Sequence, residues 1–546
     1  MRDGRLYGRP SLAAHFQSGS AKVCIINTGG TISCVGEPLA PMTAEDFAAA
    51  SKKILDPILA EQFPDTVLTY DTTLKFPESS TGTLDSTNLQ PKDWCLMAQF
   101  ILDNYARFDG FVILHGTDSM DFTGAALPFL LNVFDSQGFA TAALSKPVVI
   151  TGSQVPMYYE PPKGSSDDLK LNFNTDAFQN FCGAVACAQS GIPEVCVYFD
   201  STLFRGNRVL KMNASQFRAF GSPNYPELAQ YGIRLTQFPE RTLPGPVHYS
   251  VSLDDEASRK VAQEQLSAIQ NEINSHPVMQ FNAFPAFYSP KEKTAWIADL
   301  LESAMGQGVK GLVLESYGEG NFPSGNPDSP EEGAIYKVLE QANRNGTVII
   351  DSTQVIAGTV NDSAYAAGAW LPKVGALSAL DMTPMTALAK STILLSAVGF
   401  HGWSLEQVKT LLQLDLAGEM LSLSRLDSRQ SSVLLPGQSL SALDGSATLI
   451  NDPISGPWLQ GNDGEFLWGP FGSIQNGKPG WLVMQNDGNL VLRSSYNEPL
   501  WASDTGISSG ASSVLQLTGS YAEKSLVLSV FNYSAQTMSV KLFSQT

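Results

Sequence analysis

Two short stretches of the chain place a threonine beside glycine directly after an apolar run. VCIINTGGTIS, at Val23–Ser33, contains Thr31, and FVILHGTDS, at Phe111–Ser119, contains Thr117 followed by Asp118. A threonine hydroxyl is a weak nucleophile until a base takes its proton, and attack on an amide also needs hydrogen-bond donors for the oxyanion. Glycines let backbone N–H groups approach a substrate closely, and a carboxylate can orient a base or hold a substrate amine. Both stretches are therefore candidates for nucleophilic catalysis.

Each stretch by itself also has a simpler interpretation. TGG after a strand is typical of a tight turn from a strand into a helix, with no catalytic role. A phosphate-binding loop is not supported, because the GxGxxG spacing and the GK[ST] ending are both missing. Other motifs are needed to separate the catalytic interpretation from the structural one.

Short apolar runs alternate with helical patterns from Lys22 to about Ser352. Most of the runs end in small polar residues, as in KVCIINTGG, SKPVVITGSQ, EVCVYFDST and TVIIDSTQ. Such alternation is typical of an α/β fold with a parallel sheet, and these sheets bind ligands beyond the carboxyl ends of their strands. The pattern predicts an α/β, parallel-sheet body with both threonines at its ligand-binding edge.

Composition divides the 546 residues into three predicted domains, since the chain exceeds what one hydrophobic core usually holds. The proline- and turn-rich segment Leu235–Asp255 separates a large N-terminal α/β domain, 21–240, from a smaller C-terminal α/β domain, 256–426. The polar link Ser424–Ser432 leads into residues 433–546, which are rich in Gly, Ser, Asn and short β-like runs. This tail is predicted to be a separate all-β module.

The composition also restricts the partners and the location. A formal net charge of −19 disfavours nucleic acid and anionic membrane surfaces. No segment approaches the roughly 18 uninterrupted apolar residues of a membrane span, and residues 1–20 lack the apolar core of a secretory leader. The six cysteines have spacings that match no zinc motif, as expected for reduced core thiols. We predict a cytoplasmic protein with a small-molecule substrate and with no metal, cofactor, nucleic acid or membrane partner.

Two further motifs complete a set that resembles a known family. LDSTN precedes the second threonine and FRGNRVLK follows it, so that four motifs occur in order. The set resembles the L-asparaginases of the asparaginase/glutaminase amidohydrolase family, closest to the cytoplasmic type, and covers Lys22 to Leu426. The resemblance implies hydrolysis of L-asparagine to L-aspartate and ammonia through an acyl-enzyme on threonine.

The resemblance also implies roles for individual residues. Thr31 matches the first catalytic threonine, and Thr117, Asp118 and Lys211 match the second catalytic set. Burial favours a neutral Lys211 that can accept a proton, whereas Asp118 favours the ammonium, and both states stay open. Asn321 matches a residue that reaches in from a neighbouring subunit, so a homodimer or homotetramer is expected. The residues implied to bind the α-carboxylate and α-amine of the substrate are Asp85, Ser86, Thr87, Asp118 and Asn321.

Two positions differ from the family pattern. The family activates the first threonine with a tyrosine on the loop that follows, but Ile32–Phe47 contains no tyrosine. Tyr158 and Tyr159, which follow another strand, are the candidates to replace it. Glu315 stands where the asparagine-regulated members carry a basic residue, so allosteric control of that kind is not expected.

The tail has a resemblance of its own. QNDGNLVLR is similar to one repeat of the bulb-type mannose-binding lectins, whose pocket pattern is QxDxNxVxY. Gln485, Asp487, Asn489 and Val491 match the carbohydrate-binding positions, and Arg493 replaces the tyrosine. Arg493 can pair with Asp487 and so occupy the pocket. The resemblance implies a lectin-like β-prism that binds carbohydrate or serves assembly.

Three hypotheses about function follow. The first is an L-asparaginase, for which the complete set of motif residues argues. The second is a related amidohydrolase that prefers glutamine or another amide, which the altered loop after Thr31 permits. The third is a carbohydrate-binding protein with a weak or inactive amidohydrolase body.

Overall fold

The chain divides into two compact units, Met1–Met420 and Leu421–Thr546, each of which is described by itself. A computed structural model describes residues 20–160, 169–243, 245–246, 249–360, 367–420, 424–428, 432–442, 445–471, 474, 477–506, 513–532 and 539–545. Most of the N-terminal segment on which the expectation of no secretory leader rests, and part of the polar link Ser424–Ser432, lie outside these residues. Among the described residues, no helix is both long and apolar enough to cross a membrane.

Within the described residues, the first unit has an eight-stranded, mostly parallel sheet and a four-stranded parallel sheet, with helices against both. Its helices, within the described residues, are α1 Ala44–Ile54, α2 Asp56–Gln62, α3 Pro91–Asn104, α4 Met120–Leu130, α5 Ala177–Ala188, α6 Glu256–Glu272, α7 Trp296–Gly306, α8 Ala334–Arg344, α9 Pro384–His401 and α10 Leu405–Leu412. Helix starts follow ordinary capping chemistry: the side chain of Thr43 accepts from the Asp46 amide at α1, and α9 begins with a proline after Thr383.

The larger sheet has eight strands in the order β8-β7-β6-β5-β4-β3-β1-β2. The strands are β1 Ala21–Asn27, β2 Thr66–Tyr70, β3 Gly110–Leu114, β4 Val148–Thr151, β5 Val195–Phe199, β6 Thr202–Arg205, β7 Ala229–Tyr231 and β8 Leu235–Gln237. The pairs from β2 to β5 are parallel, and β6 to β8 extend the sheet in antiparallel fashion. The parallel-sheet body expected from the sequence is therefore present.

The central strands are apolar on both faces because helices cover the sheet on both sides. In β1, Val23 and Ile25 belong to one hydrophobic core and Cys24 and Ile26 to the other. The side chains of a strand alternate between the two faces of a sheet, so both sets are withdrawn from water. β1 pairs in parallel with β3, with Asn27 opposite Leu114, so the carboxyl ends of both strands lie at one edge of the sheet.

The second parallel sheet has the order β9-β10-β11-β12, with strands β9 Val278–Asn282, β10 Gly311–Ser316, β11 Val348–Thr353 and β12 Ala376–Ser378. One face of this sheet, through Val313 and Ile350, joins the same core as helices α3, α4, α6 and α9. Leu312 and Leu314 on the other face pack against α7 and α8. The two α/β parts predicted from the sequence therefore share a hydrophobic core.

Short two-stranded hairpins complete the first unit. They are Cys34–Val35 with Ala40–Pro41, Val133–Phe134 with Ala140–Ala142, Tyr158–Tyr159 with Lys170–Leu171, Leu210–Lys211 with Phe220–Gly221, and Tyr288–Ser289 with Thr294–Ala295. The hairpin that contains Lys211 lies directly after the RGNR turn and supplies one of the predicted catalytic side chains.

The described residues of the second unit form three four-stranded antiparallel sheets and a leucine-rich core. Its strands are β13 Arg425–Asp427, β14 Val433–Leu434, β15 Ser439–Ser441, β16 Ala447–Asp452, β17 Gly456–Gly461, β18 Phe466–Trp468, β19 Pro479–Met484, β20 Leu490–Ser494, β21 Pro499–Ala502, β22 Ser513–Thr518, β23 Val527–Asn532 and β24 Ser539–Ser544. The sheets are β13-β22-β23-β24, β14-β19-β20-β21 and β15-β16-β17-β18. Because β13 pairs with β22, this unit begins before Val433, the first residue of the predicted tail.

Candidate active site

Three loops that carry the sequence motifs meet at the carboxyl edge of the larger sheet. Gly29 and Gly30, which follow β1, have positive φ angles of 117° and 77°. A Cβ on Gly30 would collide with the backbone of Gly116, and a Cβ on Gly116 would collide with the side chain of Ser86. A Cβ on Gly29 would likewise meet the backbone of Leu84. The loops therefore need glycine at their contacts, and Thr31 and Thr117 each follow directly after a contact glycine.

Thr117, Asp118 and Lys211 form a connected cluster. The Nζ atom of Lys211 lies 2.9 Å from Thr117 Oγ1 and 2.7 Å from Asp118 Oδ1. Thr117 is buried, the Lys211 side chain is 21% exposed and the Asp118 side chain is 60% exposed. A buried hydroxyl and a partly exposed carboxylate therefore both lie within hydrogen-bond reach of one amine, which is the distance that proton transfer needs.

Lys211 is held in place from the helix that starts just after Thr117. The buried carboxylate of Asp121, in the first turn of α4, accepts a hydrogen bond of 3.1 Å from the backbone N–H of Lys211. Farther along α4, Gly124 packs so closely on Gly206 that a Cβ on Gly124 would lie 2.8 Å from the Gly206 carbonyl oxygen. Helix α4 therefore holds the backbone of Lys211 close to Thr117, which lies just before the start of this helix, although the two residues are far apart in the sequence.

The charges of the cluster have opposite effects on its two aspartates. The hydrogen bond and ion pair with Lys211 hold the pKa of Asp118 below its usual value, although partial burial opposes this shift. Burial raises the pKa of Asp121, because the hydrogen bonds that it accepts only partly offset the loss of hydration. Asp118 is therefore the carboxylate that stays ionised most firmly.

The predicted substrate-binding loop lies beside this cluster. Its residues Ser86–Asn88 form a 3-10 turn capped by Asp85, whose Oδ1 accepts from the N–H and the hydroxyl of Thr87 at 3.0 and 2.7 Å. The Thr87 hydroxyl also lies 3.2 Å from Asp118 Oδ2. The buried Ser86 Oγ has no hydrogen-bond partner within the described residues. Asp85, Ser86, Thr87 and Asp118 are therefore brought together, and a free hydroxyl is available among them.

Thr31 stands at the start of a 3-10 turn, Thr31–Ser33, and is partly exposed. Within the described part of the protein, no side chain bonds to its hydroxyl. The hydroxyl of Tyr158 is buried and bonds to Ser51 Oγ at 2.8 Å, and Tyr159 is 55% exposed. The structure thus engages Tyr158 with helix α1 and does not join either tyrosine to Thr31.

Glu315 lies in the second parallel sheet, and Asn321 lies in the turn that follows the same strand. The backbone N–H of Asn321 bonds to the Tyr317 carbonyl at 2.8 Å, and the side chain is partly buried. No hydrogen bond among the described residues joins Asn321 to the Thr117 cluster of the same molecule. Glu315 is in β10, and burial raises its pKa.

Two residues of the site were not predicted from the sequence. Gln154, after β4, places Oε1 3.4 Å from Thr117 Oγ1, and Asp121 anchors the backbone of Lys211. Gln154 belongs to the run TGSQ, which ends a strand next to β3, so the rule that ligands bind beyond strand ends was a usable signal. His115 has a neutral, structural role: it bonds to Gly116 O and Thr123 Oγ1, and burial lowers its pKa to about 4.

The tail residues that the sequence proposed for carbohydrate binding lie at one hairpin. Asp487 Oδ1 accepts from the Asn489 N–H at 2.9 Å, and Val491 is buried in β20. Gln485, Asp487 and Asn489 are partly exposed. Arg493 donates to the Asn497 carbonyl at 3.0 Å and forms no ion pair with Asp487 within the described residues, so the pairing expected from the sequence is not present.

The site thus lies where parallel strands of an α/β fold end in glycine-linked loops, with Lys211 and Asp118 beside Thr117. Comparison with family models gives the class of protein. The model "Asparaginase, N-terminal" matches residues 22–242, and the model "Glutaminase/Asparaginase C-terminal domain" matches residues 295–412. The chain belongs to the asparaginase family of amidohydrolases.

Individual relatives show the same likeness. The chain is 32% identical over 341 residues to L-asparaginase 1 of Escherichia coli strain K12, a match that covers 62% of this chain and 83% of that protein. It is also 32% identical over 412 residues to the 60 kDa lysophospholipase of Mus musculus, covering 73% of this chain and 62% of the mouse protein. The chain thus spans less than two thirds of the mouse relative.

A solved structure has the same fold. The crystal structure of L-asparaginase I from Vibrio cholerae aligns with a TM-score of 0.52 and 28% identity, covering 74% of this chain and all of the other. The α/β assignment and the membership of the family thus have independent support.

Proposed function

We propose that this protein hydrolyses the side-chain amide of L-asparagine to L-aspartate and ammonia. The observation that carries the proposal is the cluster in which Lys211 Nζ lies 2.9 Å from Thr117 Oγ1 and 2.7 Å from Asp118 Oδ1. It joins a nucleophile to a titratable group within proton-transfer distance, next to a loop with a free buried hydroxyl.

The proposed reaction has two halves. A threonine hydroxyl attacks the amide carbon, the C–N bond breaks, and ammonia leaves with the proton that the hydroxyl gave up. Water then attacks the resulting ester, the C–O bond to threonine breaks, and the hydroxyl regains a proton. Thr31 and Thr117 are both required, since one hydroxyl attacks the substrate and the other takes part in proton transfer. The glycine-flanked backbone supplies donors for the oxyanion.

Lys211 is the proton carrier in this proposal. Within the described residues, Thr117 Oγ1 bonds to Lys211 and Gln154, and an amide side chain such as that of Gln154 does not accept a proton near neutral pH. Asp118 keeps the lysine in position and is also proposed to bind the α-amine of the substrate. Asp85, Ser86 and Thr87 are proposed to bind the α-carboxylate, for which Ser86 Oγ is free.

Further parts of the proposal concern assembly and location. We propose a homodimer or homotetramer in which Asn321 reaches the site of a neighbouring subunit. The six cysteines are free and buried, which favours a reducing compartment such as the cytoplasm. For the tail, carbohydrate binding through Gln485, Asp487, Asn489 and Val491 is the alternative to a role in assembly.

An assay of ammonia release tests the proposal directly. L-Asparagine and L-glutamine are compared at the same enzyme concentration, and kcat/KM is expected to be higher for asparagine. A higher value for glutamine would replace the proposed substrate and keep the amidohydrolase. No release from either amide, by a protein with a cooperative thermal transition, would refute the proposal.

A further inference from the structure

A cavity of about 550 Å³ opens beside the proposed substrate-binding loop, and no step of the proposed reaction uses it. It lies within the first unit, where helices α3 and α4 face helix α9 and the start of β9. Its lining residues are Ser86, Thr87, Leu89, Pro91, Trp94, Asp118, Ser119, Phe122, Ile273, Asn274, His276, Pro277, Val278, Leu388 and Thr392. A volume of this size is within the usual range for small-molecule sites, ~300–1,000 Å³.

Two residues of the cavity lining carry buried hydrogen-bonding groups without partners among the described residues. The indole N–H of Trp94 and the hydroxyl of Ser86 have none among the described residues, and their side chains are only 3% and 4% exposed. An indole nitrogen can only donate, so Trp94 requires an acceptor. A buried donor that is left unpaired costs free energy, and such groups call for a specific explanation. An acceptor on a bound molecule provides one.

The remaining lining indicates the polarity of that molecule. No lysine or arginine is among the lining residues, whereas Leu89, Phe122 and Val278 present apolar walls. A further carboxylate, placed among these apolar walls beyond Ser86 and Thr87, would lack a cationic partner, which is unfavourable. The cavity therefore suits a neutral, largely apolar group that carries a hydrogen-bond acceptor.

The cavity is continuous with the proposed substrate site, because Ser86, Thr87 and Asp118 belong to both. In the proposed function, Asp118 binds the α-amine and needs it unmodified. Ser86, which has a hydroxyl without a partner, is one of the residues proposed to bind the α-carboxyl. A carbonyl oxygen there can accept from Ser86 or Trp94, while the group attached beyond it enters the apolar part of the cavity.

We propose that this cavity binds an uncharged, apolar residue joined to the α-carboxyl of asparagine. The enzyme then hydrolyses the side-chain amide of an N-terminal asparagine in a short apolar peptide as well as that of free asparagine. The C–N bond of the asparagine amide breaks, water supplies the hydroxyl of the new carboxyl, ammonia leaves, and the peptide bond is untouched. The inference rests on the proposed function.

The test compares L-asparagine with L-asparaginyl-L-leucine N-methylamide, in which the side-chain amide is the source of ammonia. We expect the peptide to have a kcat/KM within tenfold of that of asparagine. Val278→Phe, which fills the cavity, should lower the ratio of peptide to asparagine kcat/KM by tenfold or more. Trp94→Phe, which removes the free N–H, should lower the ratio about fivefold, as the loss of one neutral hydrogen bond predicts.

Met279→Phe is the matched control. It makes a similar enlargement at the next residue of β9, whose side chain packs on the other face of the sheet. Its ratio should equal that of the wild type. Thermal melting of all three variants separates a filled cavity from a disturbed fold, and Trp94→Phe still tests the site if Val278→Phe does not fold.

The outcomes separate this inference from the proposed function. Hydrolysis of asparagine with a peptide kcat/KM more than tenfold lower overturns the inference and leaves the proposed function intact. A peptide that is hydrolysed with the same ratio in wild type, Val278→Phe and Trp94→Phe also overturns it. Hydrolysis of the peptide alone supports the cavity and corrects the proposed substrate. If neither compound releases ammonia, both proposals are wrong.

Discussion

Replacement of Lys211 by methionine tests the proton-transfer step most directly. Methionine keeps most of the buried apolar stem and removes the amine that lies 2.9 Å from Thr117 Oγ1. A positioned acid or base contributes ~10²–10⁴-fold to a rate. Because no other titratable side chain of the described residues bonds to Thr117 Oγ1, we expect kcat to fall by at least ~10²–10⁴-fold.

The same change should have little effect on stability or on substrate binding. The Asp118 side chain is 60% exposed, and ion pairs at such exposure contribute only ~0–1 kcal/mol. In a unit of this size that corresponds to a change in Tm of at most about 4 °C. The α-carboxylate and α-amine of the substrate are assigned to other residues, so the Kd for asparagine should change far less than kcat.

The measurements are ammonia release, calorimetric titration with asparagine, and thermal melting. Lys373→Met is the matched control, because it removes a lysine whose 2.8 Å ion pair with Glu331 lies on the surface. Turnover of this control should equal that of the wild type. If Lys211→Met kept kcat within tenfold of the wild type at an unchanged Tm, Lys211 would not be the proton carrier. If binding were lost while the residual rate stayed high, Lys211 would be a binding residue.

The other predictions concern the nucleophiles, pH, assembly and the tail. Thr31→Ala and Thr117→Val should each lower kcat by orders of magnitude at an unchanged Tm, and near-wild-type turnover in either would contradict the need for both hydroxyls. Lys211 lowers the pKa of Asp118 in the folded protein. The stabilisation from this ion pair is therefore fully present at pH values above the usual pKa of aspartate, and it is lost as the pH falls through the lowered pKa. The kcat/KM of the wild type should therefore show no acid limb from Asp118 between about pH 5 and 8, and an acid limb in this range that Asp118→Asn lacks would argue against this assignment. Light scattering should give an active dimer or tetramer, whereas a fully active monomer of 58.7 kDa would remove Asn321 from the site. Removal of residues 421–546 should leave amide hydrolysis largely intact, and lost activity together with lost oligomerisation would contradict this. The isolated tail should bind mannose weakly or not at all, and saturable NMR shifts at submillimolar mannose would contradict that.

Much of the fold could be predicted because local patterns carry it. Apolar runs such as those of β1 and β3 are buried on both faces, so their composition alone indicates a parallel sheet between helices. The sequence could not show that both α/β parts share a core, because that depends on how α9 packs between the two sheets. It could not show that β13 belongs with the strands of the tail, since β13 is a three-residue strand that is recognisable only from its pairing with β22.

For the site, the sequence by itself determined which residue types stand at the ends of β1 and β3, and hence that Thr31, Thr117 and Asp118 are available for chemistry. Glycine at the loop contacts is part of this information, because a side chain there would collide with a neighbouring backbone or side chain. Only the tertiary structure decided that Lys211, 94 residues beyond Thr117, reaches its hydroxyl. That contact depends on the Asp121 carboxylate and on close helix packing, which are long-range interactions that no local pattern of residues encodes.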